Sequence, residues 1–272
     1  ELSIGKMIVA LVAKGLPTDK TEHYFQIKHS YKEDQDLFKE LNSPLTYKDF
    51  IIPEQNPFIP KDATVPNREL IEAVYPKLAR NEDGVRLFFG EDHEFLRPKG
   101  VISLKIMFPK EKMDITHRVY SKIYTACVKE SLNELSYPAK QAGLNYTIRE
   151  GYEGVYVDIS GYKESAMSLY KLILEHLVKF SITENQFVAI KDKIVRDYEN
   201  FSLSDAHQQT REMSADVLWN KKFTWGESLP VAKGATLSDI KTYSKSLYKK
   251  TFLEAMVYGD LEEKDADTVV NL

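Results

Sequence analysis

Between residues 101 and 132 the apolar residues change period, and no other feature constrains the fold of this chain so tightly. Ile102, Leu104, Ile106 and Phe108 alternate, which is the two-residue period of a strand with one buried face. After Asp114, the residues Ile115, Val119, Ile123 and Cys127 recur every four positions, and the pattern continues through Leu132. That spacing makes the apolar stripe of a helix that packs on one side. Asp114 stands where a carboxylate accepts from first-turn amides, and the helix is expected to end near Ser136-Tyr137-Pro138.

The same reading extends in both directions. Val85-Arg86-Leu87-Phe88-Phe89 reads as a strand expected to pair with the one through Ile102, and Met7-Ile8-Val9-Ala10-Leu11-Val12-Ala13 as an isolated first strand. Gly151 and Gly154 bracket the turn of a hairpin formed by Tyr146–Glu150 and Val155–Gly161. Helices follow around Ala166–Leu177, Phe187–Tyr198, Met213 with Val217, and Thr236–Leu247, the second opened by the capping box Thr183-Glu184-Asn185-Gln186. Phe252–Tyr258 closes as a strand. The expected order is β-β-α-β-β-α-α-α-α-β, an α+β two-layer sandwich of a mostly antiparallel sheet with helices on one face. Residues 1 to about 75 differ from the rest, with prolines at 44, 53, 57, 60 and 66 forcing extended backbone.

Composition decides what partners to exclude. Lys and Arg number 37 against 41 Asp and Glu, a net charge of −4 with no basic block, so nucleic acid is not expected as a partner. The longest apolar run, 7–13, falls short of the ~18 residues that a spanning helix needs, so no membrane partner is expected. No small-residue cleavage site follows that run, and the compartment stays open. The chain starts at Glu1 rather than Met, as expected of a piece of a longer polypeptide.

Chemistry-bearing motifs are scarce. The six histidines, at 23, 29, 93, 117, 176 and 207, form neither H-E-x-x-H nor H-x-x-E-H, the spacings that put two zinc ligands on one helical face. His93-Glu94-Phe95-Leu96-Arg97 has Arg where the second His would stand and reads as a surface loop. Phosphate loops, dinucleotide fingerprints and nucleophile elbows are absent from the sequence. Glu130 and Glu134 lie one turn apart on the expected helix, a spacing more often solvated than catalytic, and Cys127 falls on its apolar stripe as core filler. No metal, cofactor or catalytic residue is therefore expected in this chain.

Ser131-Leu132-Asn133-Glu134-Leu135-Ser136-Tyr137-Pro138-Ala139-Lys140-Gln141-Ala142-Gly143-Leu144-Asn145-Tyr146 resembles a signature of the insulinase/pitrilysin family of inverted zinc metallopeptidases. The matching positions are Ser131, Leu132, Asn133, Glu134, Tyr137, Ala139, Ala142, Gly143, Leu144 and Tyr146, and the pattern marks the third of four homologous domains. Asn56-Pro57-Phe58-Ile59-Pro60 resembles the linker into that domain, and Arg97-Pro98-Lys99-Gly100, Gly161-Tyr162 and Tyr258-Gly259-Asp260 fall in the family order. The resemblance divides the chain into the end of the preceding domain (1–45), a linker (46–75) and a non-catalytic middle domain (76–272).

The resemblance also implies that the zinc ligands lie in the first domain of the parent and that this domain walls a chamber enclosing peptide substrates. The remaining domains of the same polypeptide are the expected partners, and the signature residues are structural. Two alternatives stay open. One is a free-standing, non-catalytic subunit that docks on a catalytic H-x-x-E-H half; the other is an independent enzyme working through Glu130 or Glu134. Self-association through the unpaired edge of the first strand is also expected of the isolated chain.

Overall fold

The structure is a computed structural model that describes residues 7–33, 39, 54–65, 67–71, 75–109, 114–151, 153–218 and 223–271. The chain divides into two compact units, Glu1–Glu54 and Gln55–Leu272. In the first, β1 (Lys20–Thr21) and β2 (Lys28–His29) form a short antiparallel pair. The Glu22 carboxylate closes the turn by accepting from the Tyr24 and Phe25 amides, each at 2.7 Å. The strand expected over Met7–Ala13 is not formed: the run is exposed, Ile8 by 84% and Val12 by 95%, and pairs with no strand among the described residues. A strand persists only where a second strand takes its amides and carbonyls.

The second unit begins with β3 (Lys77–Glu82) and β4 (Val85–Glu91), joined through Asp83 and Gly84 at φ 52° and 78°, the paired left-handed residues of a tight hairpin turn. There follow β5 (Lys99–Met107), α1 (Ile115–Ser131), α2 (Asn133–Gln141), β6 (Asn145–Glu150) and β7 (Gly154–Tyr162). The helices α3 (Lys163–Val178), α4 (Glu184–Asn200), α5 (Ala206–Leu218), α6 (Trp225–Gly234) and α7 (Leu237–Leu247) precede β8 (Phe252–Gly259) and α8 (Glu263–Asn271).

The six strands lie in the order β3-β4-β8-β5-β7-β6. β8 runs parallel to β4 and antiparallel to β5, so the two strands expected to pair, β4 and β5, are separated by the last strand of the chain. Ile102, Leu104, Ile106, Val155, Val157, Ile159, Ala255 and Val257 turn to one face and are buried under the helices. The opposite face keeps Val101 and Met256 exposed.

The long helix is shorter than expected. Asp114 caps it, accepting from the His117 amide at 2.7 Å, but α1 stops at Ser131 and α2 starts at once. Leu132 makes the break: its amide is shared between the Val128 and Lys129 carbonyls, and its own carbonyl accepts from Leu135 and Ser136. The break sends the Leu132 side chain to 0% exposure, and burial of that size contributes roughly 2 kcal/mol. Pro138, expected to end the helix, lies inside α2. Tyr124 and Tyr170 bury their rings and donate their hydroxyls to the Leu177 and Val269 carbonyls, each at 2.5 Å, which fastens α1 to α3 and α3 to α8.

Candidate functional site

The signature residues form a corner where α1 turns through α2 into β6. Leu132 and Ala139 are fully buried and Leu144 is nearly so. The Ser131 hydroxyl donates to the Val128 carbonyl at 2.8 Å and lies 2.9 Å from His176 Nδ1, so its single proton is used and the imidazole N–H is the donor to it. Ala142 and Gly143 close the helix on the Pro138 and Lys140 carbonyls, with Gly143 at φ 76°, where a side chain would be strained. Leu144 then returns its amide to Ala139 and enters the sheet with the half-buried Tyr146, whose hydroxyl burial pushes above the usual tyrosine range. Asn133, Glu134 and Tyr137 are exposed, and Tyr137 accepts from Gln141 at 2.9 Å.

Asn56 and Phe58, from the segment expected as a linker, dock on this corner. Asn56 donates from its amide to the Pro138 carbonyl at 2.8 Å and accepts from the Phe58 amide at 3.0 Å. Phe58 is thereby held in the core at 4% exposure, while Pro57 and Ile59 face solvent and Pro60 is half-buried. The quoted pattern thus describes one sealed joint whose polar interior atoms are occupied by protein partners.

The other family-pattern pieces meet elsewhere, at the end of the sheet. Register brings Glu91 beside Gly259, and Gly100 beside both Gly259 and Gly161. Around these strand ends lies a cleft of about 330 Å³ lined by Arg97, Lys99, Gly100, Gly143, Gly161, Tyr258 and Gly259, together with Asp92, Asn145 and Ser160. Gly259, at φ 118°, has its missing Cβ against the Lys99 carbonyl, so only glycine admits the close approach of β8 and β5.

The loop beneath is organised by Asp92, 6% exposed, which accepts from the amides of Glu94 and Phe95 at 3.0 Å and of Arg97 at 3.4 Å. Burial alone would raise the pKa of this carboxyl, but the Phe95, Glu94 and Arg97 amides and the charge of Arg68 hold it below its usual range. Asp260 is paired with Arg68 and Lys163 at 3.0 Å each, and Arg68 also reaches Glu91 at 3.1 Å. Asp92 and Arg68 carry this loop and escaped the sequence reading. An Asp followed by free amides two and three residues on is the local signal that could have found Asp92.

The remaining candidates stay apart. Glu130 and Glu134 sit on different helices, both exposed, rather than on one helical face. His93 donates from Nδ1 to the Glu69 carbonyl at 2.8 Å, and His117 lies 3.3 Å from the Tyr243 hydroxyl. Among the described residues no three His, Cys, Asp or Glu gather as metal ligands, so the zinc that the family implies finds no donor set here. Cys127 is fully buried, and burial followed by the charge of Glu130 pushes its thiol up to about 12, which leaves it a poor nucleophile. No described helix is long and apolar enough to cross a membrane.

Comparison with known proteins agrees with this architecture. Pitrilysin matches in fold with a TM-score of 0.73 at 23% identity, over 93% of this chain and 27% of that one. An inactive peptidase M16 domain from Pseudomonas fluorescens matches with a TM-score of 0.54 at 13% identity, over 72% and 49%. Insulin-degrading enzyme of Bos taurus is 29% identical over 266 residues, 95% of this chain and 26% of that protein. The A-factor-processing enzyme of Saccharomyces cerevisiae is 23% identical over 97% of this chain and 26% of its own length. The chain therefore spans about a quarter of the length of these relatives. A family model described as the middle or third domain of peptidase M16 matches residues 1–231, and the chain belongs to that family.

Proposed function

We propose that this chain is the non-catalytic middle domain of an insulinase-type zinc metalloendopeptidase, and that it serves as part of the wall of a peptide-enclosing chamber. The observation that carries the reading is the inward face of α1, where Val119, Ile123, Cys127 and Val128 are packed to 0% exposure against the sheet. A helix filled in this way has no room for a metal and its water, and what it supplies is rigidity. The sheet face without helical cover is the surface that such a wall would turn toward an unfolded peptide. In this reading zinc is bound by another domain of the parent, the partners are the remaining domains of the same polypeptide, and the substrates are peptides.

The test is the size and activity of the native protein. An immunoblot of the source organism is expected to show a band several-fold larger than 31.3 kDa, and the purified 272-residue chain is expected to leave fluorogenic peptides uncut. A native band near 31.3 kDa would instead support the free-standing subunit, and zinc-dependent cleavage by the chain alone would overturn the reading. Met7–Ala13 supplies a companion proposal: its exposed Ile8, Leu11 and Val12 associate isolated copies, and Val9→Lys is expected to return them to monomer in sedimentation.

A further inference from the structure

We propose that the cleft at the sheet end binds the carboxylate of an extended peptide. The inference rests on the chamber-wall reading and adds a subsite to it. Two cations stand at the rim, Arg97 with its guanidinium over the Phe95 ring at 5.8 Å, and Lys99 with its ammonium over the Tyr162 ring at 5.2 Å. Neither forms an ion pair with a described residue, in contrast to Arg68 and Lys163 just below them. The aromatic faces orient both charges without neutralising them.

The uncharged polar side chains of the lining are equally unoccupied. The Ser160 hydroxyl and the Asn145 amide line the cleft and make no hydrogen bond to any described residue. The nearby buried carboxylates are held by other partners, Asp92 by three backbone amides and Asp260 by two cations at 3.0 Å. The opposing charges are Asp92, which lines the cleft, and the exposed Glu94 outside the lining; after burial, Asp92 and then Glu94 raise the pKa of the Tyr258 hydroxyl.

The lining itself therefore carries Arg97 and Lys99 against Asp92, a small positive excess, which suits a monoanion better than a dianion. A guanidinium fork donates two parallel hydrogen bonds to a carboxylate. A neutral amide and a hydroxyl beside it match the peptide group that precedes a chain terminus. A volume of about 330 Å³ takes one terminal residue and excludes a folded surface.

The 272-residue chain is titrated with acetyl-trialanine, with acetyl-trialanine amide and with inorganic phosphate, and binding is followed by amide chemical shifts. The free acid is expected to bind at least tenfold more tightly than the amide. The double variant Arg97→Gln, Lys99→Gln is expected to lose that preference while keeping the native far-ultraviolet spectrum, since both side chains are exposed. Glu94→Gln is expected to tighten the acid several-fold, a change of sign that a merely structural role would not produce. Equal binding of acid and amide, or an unchanged preference in the double variant, would overturn the proposal. Phosphate binding more tightly than the acid would also overturn it and leave a general anion site. Failure here in a chain whose native form is several-fold larger than 31.3 kDa removes the subsite alone, whereas a 31.3 kDa native form removes the chamber wall and leaves the cleft standing.

Discussion

The signature corner and the sheet-end cleft share Gly143 and are both built from family-pattern residues, yet they use their polar groups in opposite ways. At the corner, Ser131, Asn56 and the Pro138 carbonyl are occupied by one another or by neighbouring protein atoms. In the cleft, Arg97 and Lys99 lie over aromatic rings with no ion-pair partner among the described residues, and the Ser160 and Asn145 side chains have no described hydrogen-bond partner. The comparison teaches that a recognisable motif can be entirely about folding, while donors capable of binding gather where the sequence shows only strand ends.

Four substitutions break or sharpen that contrast. The largest effect is expected from Leu132→Ala, which empties a fully buried site at the corner and should cost about 3 kcal/mol in urea unfolding. A loss below about 1 kcal/mol would mean that the corner is not sealed. Gly161→Ala comes next at about 2 kcal/mol, because φ is 151° and the new Cβ would lie 2.5 Å from Leu144 Cδ2. That substitution couples cleft to corner, so acid-peptide binding should weaken with it. Asn56→Ala removes the hydrogen bond donated to the Pro138 carbonyl and should cost about 1 kcal/mol, with Phe58 becoming accessible to quenchers.

The smallest effect is electrostatic. The folded-state pKa of Asp92 lies below its ordinary value of 3.8, so its stabilisation is present above that value and is lost as pH falls through the folded one. Wild type should therefore lose stability on acidification below pH 3.8 more steeply than Asp92→Asn, by under about 1 kcal/mol, in denaturation midpoints taken from pH 6 to pH 2. Parallel pH profiles would show that the loop does not depend on the charge.

Much of the fold was legible because its signals are local. The alternation of Val155, Val157 and Ile159 gave β7, Asp114 gave the start of α1, and Thr183 with Gln186 gave the start of α4, where the capping box is formed. What was missed needs tertiary context. β3 reads Lys-Leu-Ala-Arg-Asn-Glu with no buried residue, α6 contains Pro230, and α8 is nine residues long with a single buried face. The β4–β8 pairing joins residues 168 apart, beyond the reach of any window. The corner could be read as one contiguous motif, whereas the cleft is assembled from the ends of β5, β7 and β8 and the loop after β4.

The place of β8 also sets a timetable for synthesis. Until residue 252 leaves the ribosome, β4 has no partner beyond β3, and the β5-β7-β6 ribbon has an open edge at β5. Two half-sheets with apolar faces must wait side by side, and the eight residues of β8 zip them together by entering the gap. A nascent chain stalled before that point would be a client for chaperones, and maturation of this sheet is decided by β8.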